Sequence, residues 1–302
     1  MKIIVTGASG LVGTALLPAL QAKGHTVYRL VRSAPDKAKD EIRWNPEGGE
    51  IDAAALEGMD AAIHLAGENV AEGRWTDEKK RRIRESRAKG TRLLSQTLAQ
   101  LQHKPRTLVS ASATGFYGNR GDEVLTEQSA SGDDFLSEVC REWELATQPA
   151  SEGGMRVVNL RFGVILTARG GALKKMLTPF KLGVGGRIGS GEQYMSWITL
   201  DDAVGVILFA LETESLRGPV NVVAPQAVTN LEFTKALGGA LSRPTIFPVP
   251  KFAARLAFGE VADALLLSSA RVEPLRLKEA GYRFQYPDLK AALHHIISDG
   301  WS

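Results

Sequence analysis

The chain contains a single cysteine, Cys140, among 302 residues. One cysteine forms no intramolecular disulfide and builds no cysteine-rich zinc site, so a disulfide-stapled domain and a zinc finger are both excluded. The five histidines are scattered without metal-ligand spacing, and we therefore expect no metal. A lone thiol is typical of proteins from a reducing compartment, which favours a cytoplasmic location.

Long apolar runs and a strong charge of one sign are also missing. No stretch approaches the roughly 18 apolar residues that a membrane-spanning helix needs, and the first residues, MKIIVTGASG, lack the apolar core of a signal peptide. The formal net charge is only +3. We interpret the basic run from Lys79 to Arg87 as one solvated helix face. The predicted partner is a small-molecule substrate, with no nucleic acid and no membrane, and the predicted state is a monomer or homodimer.

What the sequence does contain is an alternation of strand and helix patterns. Apolar runs of strand length are separated by amphipathic segments that are long enough for crossover helices. The strand runs are Lys2–Thr6, Thr26–Val31, Ala61–Leu65, Thr107–Ala111 and Val157–Phe162, and the longest helical segments are Leu11–Ala22, Thr76–Gln102 and Asp134–Thr147. This alternation predicts an α/β fold with a Rossmann-type doubly wound parallel sheet.

The pattern changes after Phe162. Glycine-rich loops surround a short helical segment, Ala172–Phe180, and from about Gln226 onward prolines separate short helical stretches. We predict a dinucleotide-binding domain from residues 1–165 with 197–224. The remaining residues, 166–196 with 225–302, are predicted to form a smaller, mainly helical C-terminal substrate lobe.

A glycine-rich turn, TGASGLVG, follows the first predicted strand. Its glycines let backbone N–H groups approach a pyrophosphate, and the N-terminus of the next helix adds a partial positive charge. The spacing G-x-x-G-x-x-G differs by one residue from G-x-G-x-x-G. In this position it predicts a dinucleotide site with contacts from Thr6, Gly7, Ser9, Gly10, Leu11, Val12 and Gly13.

The end of the second strand indicates which dinucleotide binds. A carboxylate at this point accepts hydrogen bonds from the ribose 2′-hydroxyl of NAD, whereas an arginine suits the 2′-phosphate of NADP. Here the chain has Arg32 and Ser33, with no acidic residue before Asp36. We therefore predict NADP(H) as the cofactor. The alternative is that Arg32 is an ordinary exposed arginine.

Several motifs together resemble the extended short-chain dehydrogenase/reductase superfamily. They are the glycine turn, HLAG at His64–Gly67, SASATGFYG at Ser110–Gly118, LRFGVIL at Leu160–Leu166 and MSWITLDDAV at Met195–Val204. The segments Ala66–Trp75 and Gly183–Ile198 resemble, more narrowly, an atypical NAD(P)-dependent epimerase-like group whose members carry a C-terminal domain of unknown function. The resemblance implies that Leu65, Ala66 and Gly67 lie beside the cofactor's adenine ribose. It also implies that residues 110–118 lie near the nicotinamide.

The chain departs from this superfamily at its catalytic pair. Extended members carry Tyr-x-x-x-Lys on the helix after strand five, but the corresponding segment, DDFLSEVCREWE, has Phe135 and Val139 at those positions. Neither side chain transfers a proton. The candidates for the missing catalytic role are Ser112, Tyr117, Glu68 and bound water, which we leave unranked. For Tyr117 the alternative is a position in the core.

Further arginines and aromatic residues are candidates for ligand contacts. Arg161 is predicted to contact the cofactor or an anionic substrate group, and Arg74 and Trp75 lie in a loop that is expected to line the crevice. Arg187, Tyr194 and Trp197 are predicted to contact the substrate, with Gly183–Gly191 as a mobile lid. The alternatives are a surface loop for the first two and a sealed domain junction for the aromatics.

These patterns favour an NADP(H)-binding oxidoreductase or epimerase-like enzyme acting on an unidentified small molecule. The absence of the tyrosine and lysine leaves a second hypothesis open. The chain is then a catalytically impaired NADP(H)-binding sensor or regulatory protein.

Overall fold

A computed structural model of the chain describes residues 1–299 and contains one large sheet and three two-stranded ones. The strands are β1 (Lys2–Thr6), β2 (Thr26–Val31), β3 (Glu41–Asn45), β4 (Glu50–Ile51), β5 (Ala61–His64), β6 (Thr107–Ala113), β7 (Val124–Leu125), β8 (Arg156–Phe162), β9 (Val164–Leu166), β10 (Tyr194–Met195), β11 (Trp197–Thr199), β12 (Gly218–Val222), β13 (Val228–Thr229) and β14 (Arg271–Val272).

Helices connect these strands and build much of the C-terminal part. They are α1 (Leu11–Ala22), α2 (Asp77–Gln100), α3 (Phe135–Leu145), α4 (Gln148–Glu152), α5 (Gly171–Lys181), α6 (Leu200–Glu212), α7 (Asn230–Leu241), α8 (Lys251–Phe258), α9 (Leu275–Glu279) and α10 (Leu289–Asp299). Side-chain caps fix where α2 and α3 begin, because Thr76 accepts from the N–H of Lys79 and Asp134 from that of Ser137. Such a cap stabilises a helix by about 1 kcal/mol.

The large sheet has the order β12-β8-β6-β5-β1-β2-β3-β4, and every neighbouring pair is parallel except β3 with β4. Thr6 at the end of β1 pairs with Leu30 of β2 on one side and with His64 of β5 on the other. The chain reverses its direction across the sheet here, so the carboxyl ends of β1 and β5 form the crevice where such folds bind ligands. The predicted doubly wound parallel sheet is confirmed.

Hydrophobic layers cover both faces of this sheet. On one face α1 and α6 bury Leu16, Leu20 and Ile207 against the strands, and on the other α2 buries Leu94 and Leu98. Burial on both faces explains why the strands read as continuous apolar runs. Among residues 1–299, no helix is both long enough and apolar enough to cross a membrane.

The C-terminal part is mainly helical, and a portion of it packs against the main sheet domain. Leu277 and Tyr282 join the core on the α6 side, where the buried Asp202 accepts hydrogen bonds from the backbone of Gln285 and Tyr286. Helix α10 packs against α7 instead. The last three residues of the predicted lobe, 300–302, lie outside the described residues.

Candidate functional site: the crevice above β1 and β5

The glycine turn lies at the crevice, and two of its glycines are required by the fold itself. A Cβ on Gly7, whose φ is +69°, would lie 2.7 Å from the backbone carbon of Leu65, and one on Gly13 would lie 2.3 Å from the oxygen of Gly7. The short distances show that the backbones of β1, α1 and the end of β5 pack closely at these two glycines. Side chains at either position would push this packing apart.

Gly10 is less tightly enclosed than Gly7 and Gly13, although an added Cβ would still make one close contact. A Cβ there would lie 3.2 Å from the Gly7 oxygen, and the backbone (φ −77°, ψ 174°) is one that any residue adopts. Gly10 precedes α1 without a side-chain cap, so the first N–H groups of this helix have no side-chain acceptor. Ser9 is exposed beside it, Val12 packs toward the core, and Leu11 contacts Gly170.

Thr6 and His64 tie the turn to the end of β5. Thr6 Oγ1 accepts hydrogen bonds from the N–H groups of Leu65 and Ala66, each at 3.2 Å, and lies 2.7 Å from His64 Nδ1. The other ring nitrogen of His64 lies 2.8 Å from Thr91 Oγ1 on α2. Burial lowers the pKa of this histidine to about 4, so the ring is neutral at pH 7. Thr6 is fully buried and acts by holding the loop that contains Gly67.

The predicted 2′-phosphate corner is open. Arg32 and Ser33 are exposed just after β2, and within the described residues Arg32 forms no ion pair. Glu68 lies near enough to Arg32 for the two charges to interact, and it is already engaged, since Lys79 Nζ lies 2.7 Å from its carboxylate. The hydrogen bond from Lys79 lowers the pKa of Glu68. Glu68 is therefore ionised at neutral pH and is poorly suited to donate a proton.

A chain of short hydrogen bonds occupies the other end of the crevice. Ser112 Oγ donates to Glu144 at 2.7 Å, and Arg161 makes two hydrogen bonds of 2.7 Å to the same carboxylate. Arg161 also donates to the Tyr117 hydroxyl at 3.0 Å, which in turn donates to Asn221 at 2.6 Å. The side chains of Glu144 and Arg161 are only 12% and 4% exposed.

This network places two of the sequence candidates in the core. Tyr117 is fully buried, and burial raises the pKa of its phenol, which makes it a weaker acid. Arg161 is 3% exposed, and its donors are directed at Glu144 and Tyr117 rather than at the crevice. The expected ligand contact of Arg161 is therefore corrected to a structural ion pair. Ser112 is 2% exposed and is oriented by Glu144.

Helix α3 carries no ionisable side chain at the two positions where the catalytic pair is missing. Val139 is buried, and Phe135 packs edge to face on Trp75 at 5.2 Å. Cys140 is buried as well, and burial raises the pKa of its thiol to about 12. Within residues 1–299, no group of three or more His, Cys, Asp or Glu side chains is arranged to hold a metal ion.

A cleft of about 390 Å³ lies between the start of α3 and the C-terminal helices. Trp75 lines it and donates its indole N–H to the Val70 carbonyl. The neighbouring Arg74 donates to the Leu256 carbonyl of α8. The other lining residues include Asn119, Asp134, Leu136, Lys251, Arg255, Glu260 and Asp263. The structure therefore brings Trp75 to this cleft, whereas Arg74 lies outside its lining.

The residues predicted from the glycine-rich segment divide into two groups. Tyr194 lines a neighbouring cavity of about 280 Å³, and exposed Arg187 donates to the carbonyl of Ser190 at 2.7 Å. Trp197 is 1% exposed in the core and donates to the Gln226 carbonyl. A side chain so buried has no surface to offer a substrate, so the expected contact of Trp197 is corrected to packing.

The predicted lid at Gly183–Gly191 is tied to the chain beside it. Gly189 N–H donates to Val249 at 2.9 Å, and Val249 N–H donates to Arg187 at 2.8 Å. A Cβ on Gly186 would lie 1.7 Å from the Phe247 oxygen, so this glycine serves close backbone packing. Contact explains Gly186, and the mobility of Gly183–Gly191 as a lid stays a prediction.

Sequence reasoning overlooked two charged residues at the crevice, Glu144 and Arg87. Glu144 lies four residues after the buried Cys140, and Arg87 lies four after the buried Ile83 and four before Thr91. Residues four apart share one helix face. That spacing was the available signal that both side chains point inward. The basic run on α2 is also not uniformly solvated, because Lys79 is buried.

Comparison with known families agrees with this geometry. The family model described as the NAD dependent epimerase/dehydratase family matches residues 3–223, which include the glycine turn and β12. The chain belongs to the NAD dependent epimerase/dehydratase family. A second model, described as a domain of unknown function (DUF1731), matches residues 249–296. The resemblance to an epimerase-like group with such a C-terminal domain is confirmed.

Relatives of this epimerase/dehydratase family match along nearly the whole chain. "Epimerase family protein Mb2239" of Mycobacterium bovis is 46% identical over 98% of this chain and 97% of its own length. The crystal structure of human epimerase family protein SDR39U1 with NADPH has a TM-score of 0.90, with 34% identity over 99% of this chain and 100% of that one. The nucleoside-diphosphate sugar epimerase structure from Corynebacterium glutamicum has a TM-score of 0.82 and 40% identity, and the match covers 100% of this chain and 59% of that one.

Proposed function

We propose that this chain binds NADP(H) in the crevice above β1 and β5. The observation that carries the proposal is the glycine turn before α1, in which Gly10 is the least enclosed glycine and the first N–H groups of the helix have no side-chain cap. A glycine left open beside uncapped helix N–H groups fits a pyrophosphate, which needs donors and space. The human relative crystallised with NADPH supports the same assignment.

The residues present fit the parts of this cofactor. The N–H groups of the turn and of the first residues of α1 would hold the pyrophosphate, and Leu65, Ala66 and Gly67 would border the adenine ribose. Arg32 and Ser33 offer donors to a 2′-phosphate, with no acidic side chain between them and Asp36 to repel it. When bound, the cofactor supplies a hydride donor or acceptor.

We propose further that a small polar substrate occupies the cleft of about 390 Å³. Its walls carry both charge signs, with Lys251 and Arg255 against Asp134 and Glu260, and Trp75 supplies an apolar face. Tyr194 lines the neighbouring cavity, which shares Lys251 and Leu267 with this cleft. The reaction class would be oxidoreductase or epimerase-like. Tyr117 and Ser112 are both buried in the network around Glu144, and Glu68 is ionised, so the proton carrier stays unassigned among these side chains and bound water.

Calorimetric titration tests the cofactor assignment. We expect NADPH to bind about 10- to 100-fold more tightly than NADH, since one charge-assisted contact contributes about 1.5–3 kcal/mol. A protein that binds neither dinucleotide would refute the proposal. Equal affinities would refute only the assignment of the 2′-phosphate corner.

A second candidate is an NADP(H)-binding sensor without turnover. The absence of the tyrosine and lysine, together with the closed network around Glu144, favours it. Turnover separates the two, and a panel of nucleoside-diphosphate sugars with NADPH or NADP⁺ is the natural first screen, given the Corynebacterium relative. Oxidation, reduction or epimerisation of any sugar supports the enzyme. The cytoplasmic location and the monomeric or homodimeric state stay predictions.

A further inference from the structure

A group of large apolar side chains is exposed in the C-terminal part of the chain. They come from the loop after α5, the segment before α8, and α8 itself. The members, each at least half exposed, are Leu182, Val184, Ile246, Phe247, Phe252, Leu256 and Phe258. We call this group the apolar surface. Each side chain exposes on the order of 100 Å², so together they exceed the few hundred Å² of apolar surface that a monomeric protein usually shows in one patch.

Backbone contacts hold the two segments of the apolar surface side by side. The N–H of Val249 donates to the Arg187 carbonyl at 2.8 Å, and a Cβ on Gly186 would lie 1.7 Å from the Phe247 oxygen. The loop after α5 therefore runs directly beside the segment that precedes α8. The exposed side chains thus belong to one region of the molecule and are not scattered singly.

Helix α8 points its two most exposed apolar side chains away from the protein. Within this helix only Ala254 is buried. Phe252 and Leu256 lie two positions before and after it, which is about 200° of rotation around the helix axis, so both lie opposite the buried face. Their exposed fractions are 72% and 75%. Neither residue lines the cavities of about 390 and 280 Å³, so α8 presents a protruding apolar face and not a groove.

The charge around the apolar surface has one sign. Residues 174–187 and 242–258, which contain it, include no aspartate or glutamate. Their basic residues are Lys174, Lys175, Lys181, Arg187, Arg243, Lys251 and Arg255. The pairing of Arg255 with Asp263 at 2.9 Å offsets one of these charges. The formal net charge of the whole chain is only +3, so positive charge is concentrated around the apolar surface.

This combination of shape and charge distinguishes between the candidate occupants. Two copies of the surface facing each other would oppose like charges, which disfavours a second copy of the chain. A peptide would need a groove, whereas α8 protrudes. An amphipathic helix with phenylalanine and leucine on one face and basic residues beside them is suited to the headgroup region of a bilayer. Anionic lipids attract lysine and arginine side chains near their surface.

We propose that the apolar surface docks this protein on anionic lipid bilayers, with Phe247, Phe252 and Leu256 entering the headgroup region. The inference goes beyond the proposed function and does not depend on it. The expectation that the chain binds no membrane came from the lack of a spanning segment, and docking at a bilayer surface needs none.

Flotation of the full chain with lipid vesicles tests the proposal. One set of vesicles contains phosphatidylcholine alone, and the other contains equal parts of phosphatidylglycerol and phosphatidylcholine. We expect the protein to float with the anionic vesicles and not with the neutral ones. Binding should weaken as salt is added, because salt screens the attraction between basic side chains and anionic headgroups.

Two pairs of variants separate the apolar contribution from that of charge. Phe252→Ser with Leu256→Ser should weaken vesicle binding at least about 10-fold, because two apolar side chains no longer leave water. Leu145→Ser, at an exposed apolar position of α3 outside the surface, should bind normally. Arg243→Gln should weaken binding about fivefold, whereas Arg106→Gln, at an exposed position before β6, should change it by less than about twofold.

The outcomes decide between the bilayer and other occupants. Loss of vesicle binding in Phe252→Ser with Leu256→Ser, with normal binding in Leu145→Ser, supports the proposal. Absence of wild-type binding to anionic vesicles overturns it, and so does equal binding of the wild type and the double variant. Dimers in sedimentation that the double variant loses, without vesicle binding, would assign the surface to a second copy instead. If the double variant does not fold by circular dichroism, Leu256→Ser alone decides by the same comparison.

Discussion

The two ends of the crevice differ in how far their polar groups are already used by the fold. At the glycine turn the first N–H groups of α1 lack a side-chain cap, and Arg32 has no ion-pair partner among residues 1–299. At the end of β6, by contrast, Ser112, Glu144 and Arg161 are joined by hydrogen bonds of 2.7 Å. The donors at the glycine turn are therefore available to a ligand, whereas the donors at the end of β6 already bond to other side chains of the protein.

The difference shows that polar residues near an expected reaction centre are not all available for chemistry. Arg161 and Tyr117 link β8, the turn after β6 and Asn221 of β12. A buried charge needs this many partners because desolvation without them is costly. The network is therefore a structural element that shapes the crevice and fixes the orientation of Ser112.

The largest expected effect comes from breaking this closed end. Arg161→Met leaves Glu144 buried without its cation, and we expect the free energy of unfolding to fall by about 3–5 kcal/mol in denaturant titrations. Arg81→Met, which breaks an exposed pair with Glu78, should cost less than about 1 kcal/mol. A double variant, Arg161→Met with Glu144→Leu, should regain part of the loss. Equal stability of the two single variants would show that the network is not structural.

Changing the open end should leave stability alone and remove ligand binding. Gly10→Val places two methyl groups in the space assigned to the pyrophosphate, and we expect NADPH affinity to fall at least about 100-fold, or about 2.7 kcal/mol. Gly7→Ala should instead destabilise the fold, because its Cβ meets backbone at 2.7 Å. Gly239→Ala, on the exposed face of α7 with no atom within 4 Å of the added Cβ, is the matched control. Normal affinity in a folded Gly10→Val protein would contradict the assignment.

The glycine turn and the network around Glu144 also differ in how far the sequence predicts them. Strand and helix periods depend on local patterns, so the predicted bounds of β1, β2 and α1 agree with the structure. The glycine turn was recognisable because the backbone conformation it needs is specified by residues that are close together in the sequence. Strand β3, which lies between β2 and the edge strand β4, was not predicted, and its alternation is short, with Ile42 and Trp44 as the buried residues.

Contacts between distant segments were beyond the sequence patterns. The partner of Arg161 lies 17 residues away, and the partner of Tyr117 lies 104 residues away. Nothing in either local pattern specifies those partners, so Tyr117, Arg161 and Trp197 were assigned to a crevice that they do not face. Helical spacing did contain the information needed to place Glu144 and Arg87 on inward faces.

The buried His64 at the end of β5 makes the free energy of unfolding depend on pH. Burial lowers its pKa from 6.5 to about 4, so the unfolded chain binds the proton more tightly than the folded one. The stability that the neutral ring contributes to the folded chain is fully present above pH 6.5. It is lost as the pH falls toward 4, which lowers the free energy of unfolding by about 3 kcal/mol in all. We expect His64→Gln to flatten this part of the profile of unfolding free energy against pH. His103→Gln, at a side chain that is 81% exposed, should not change the slope.

The smallest expected effect concerns the 2′-phosphate corner, where it tests whether Arg32 contacts the cofactor directly. Arg32→Glu replaces a donor by a group that repels the phosphate and accepts hydrogen bonds from a ribose hydroxyl, so the preference for NADPH over NADH should disappear or reverse. The expected change is about 10- to 100-fold, or about 1.5–3 kcal/mol, measured by calorimetry with both dinucleotides. Arg106→Glu makes the same charge change at an exposed position just before β6, at the opposite ends of the parallel strands, and should preserve the preference. Because both variants alter the net charge equally, loss of preference in both would reveal a long-range electrostatic effect, while loss in Arg32→Glu alone identifies a direct contact.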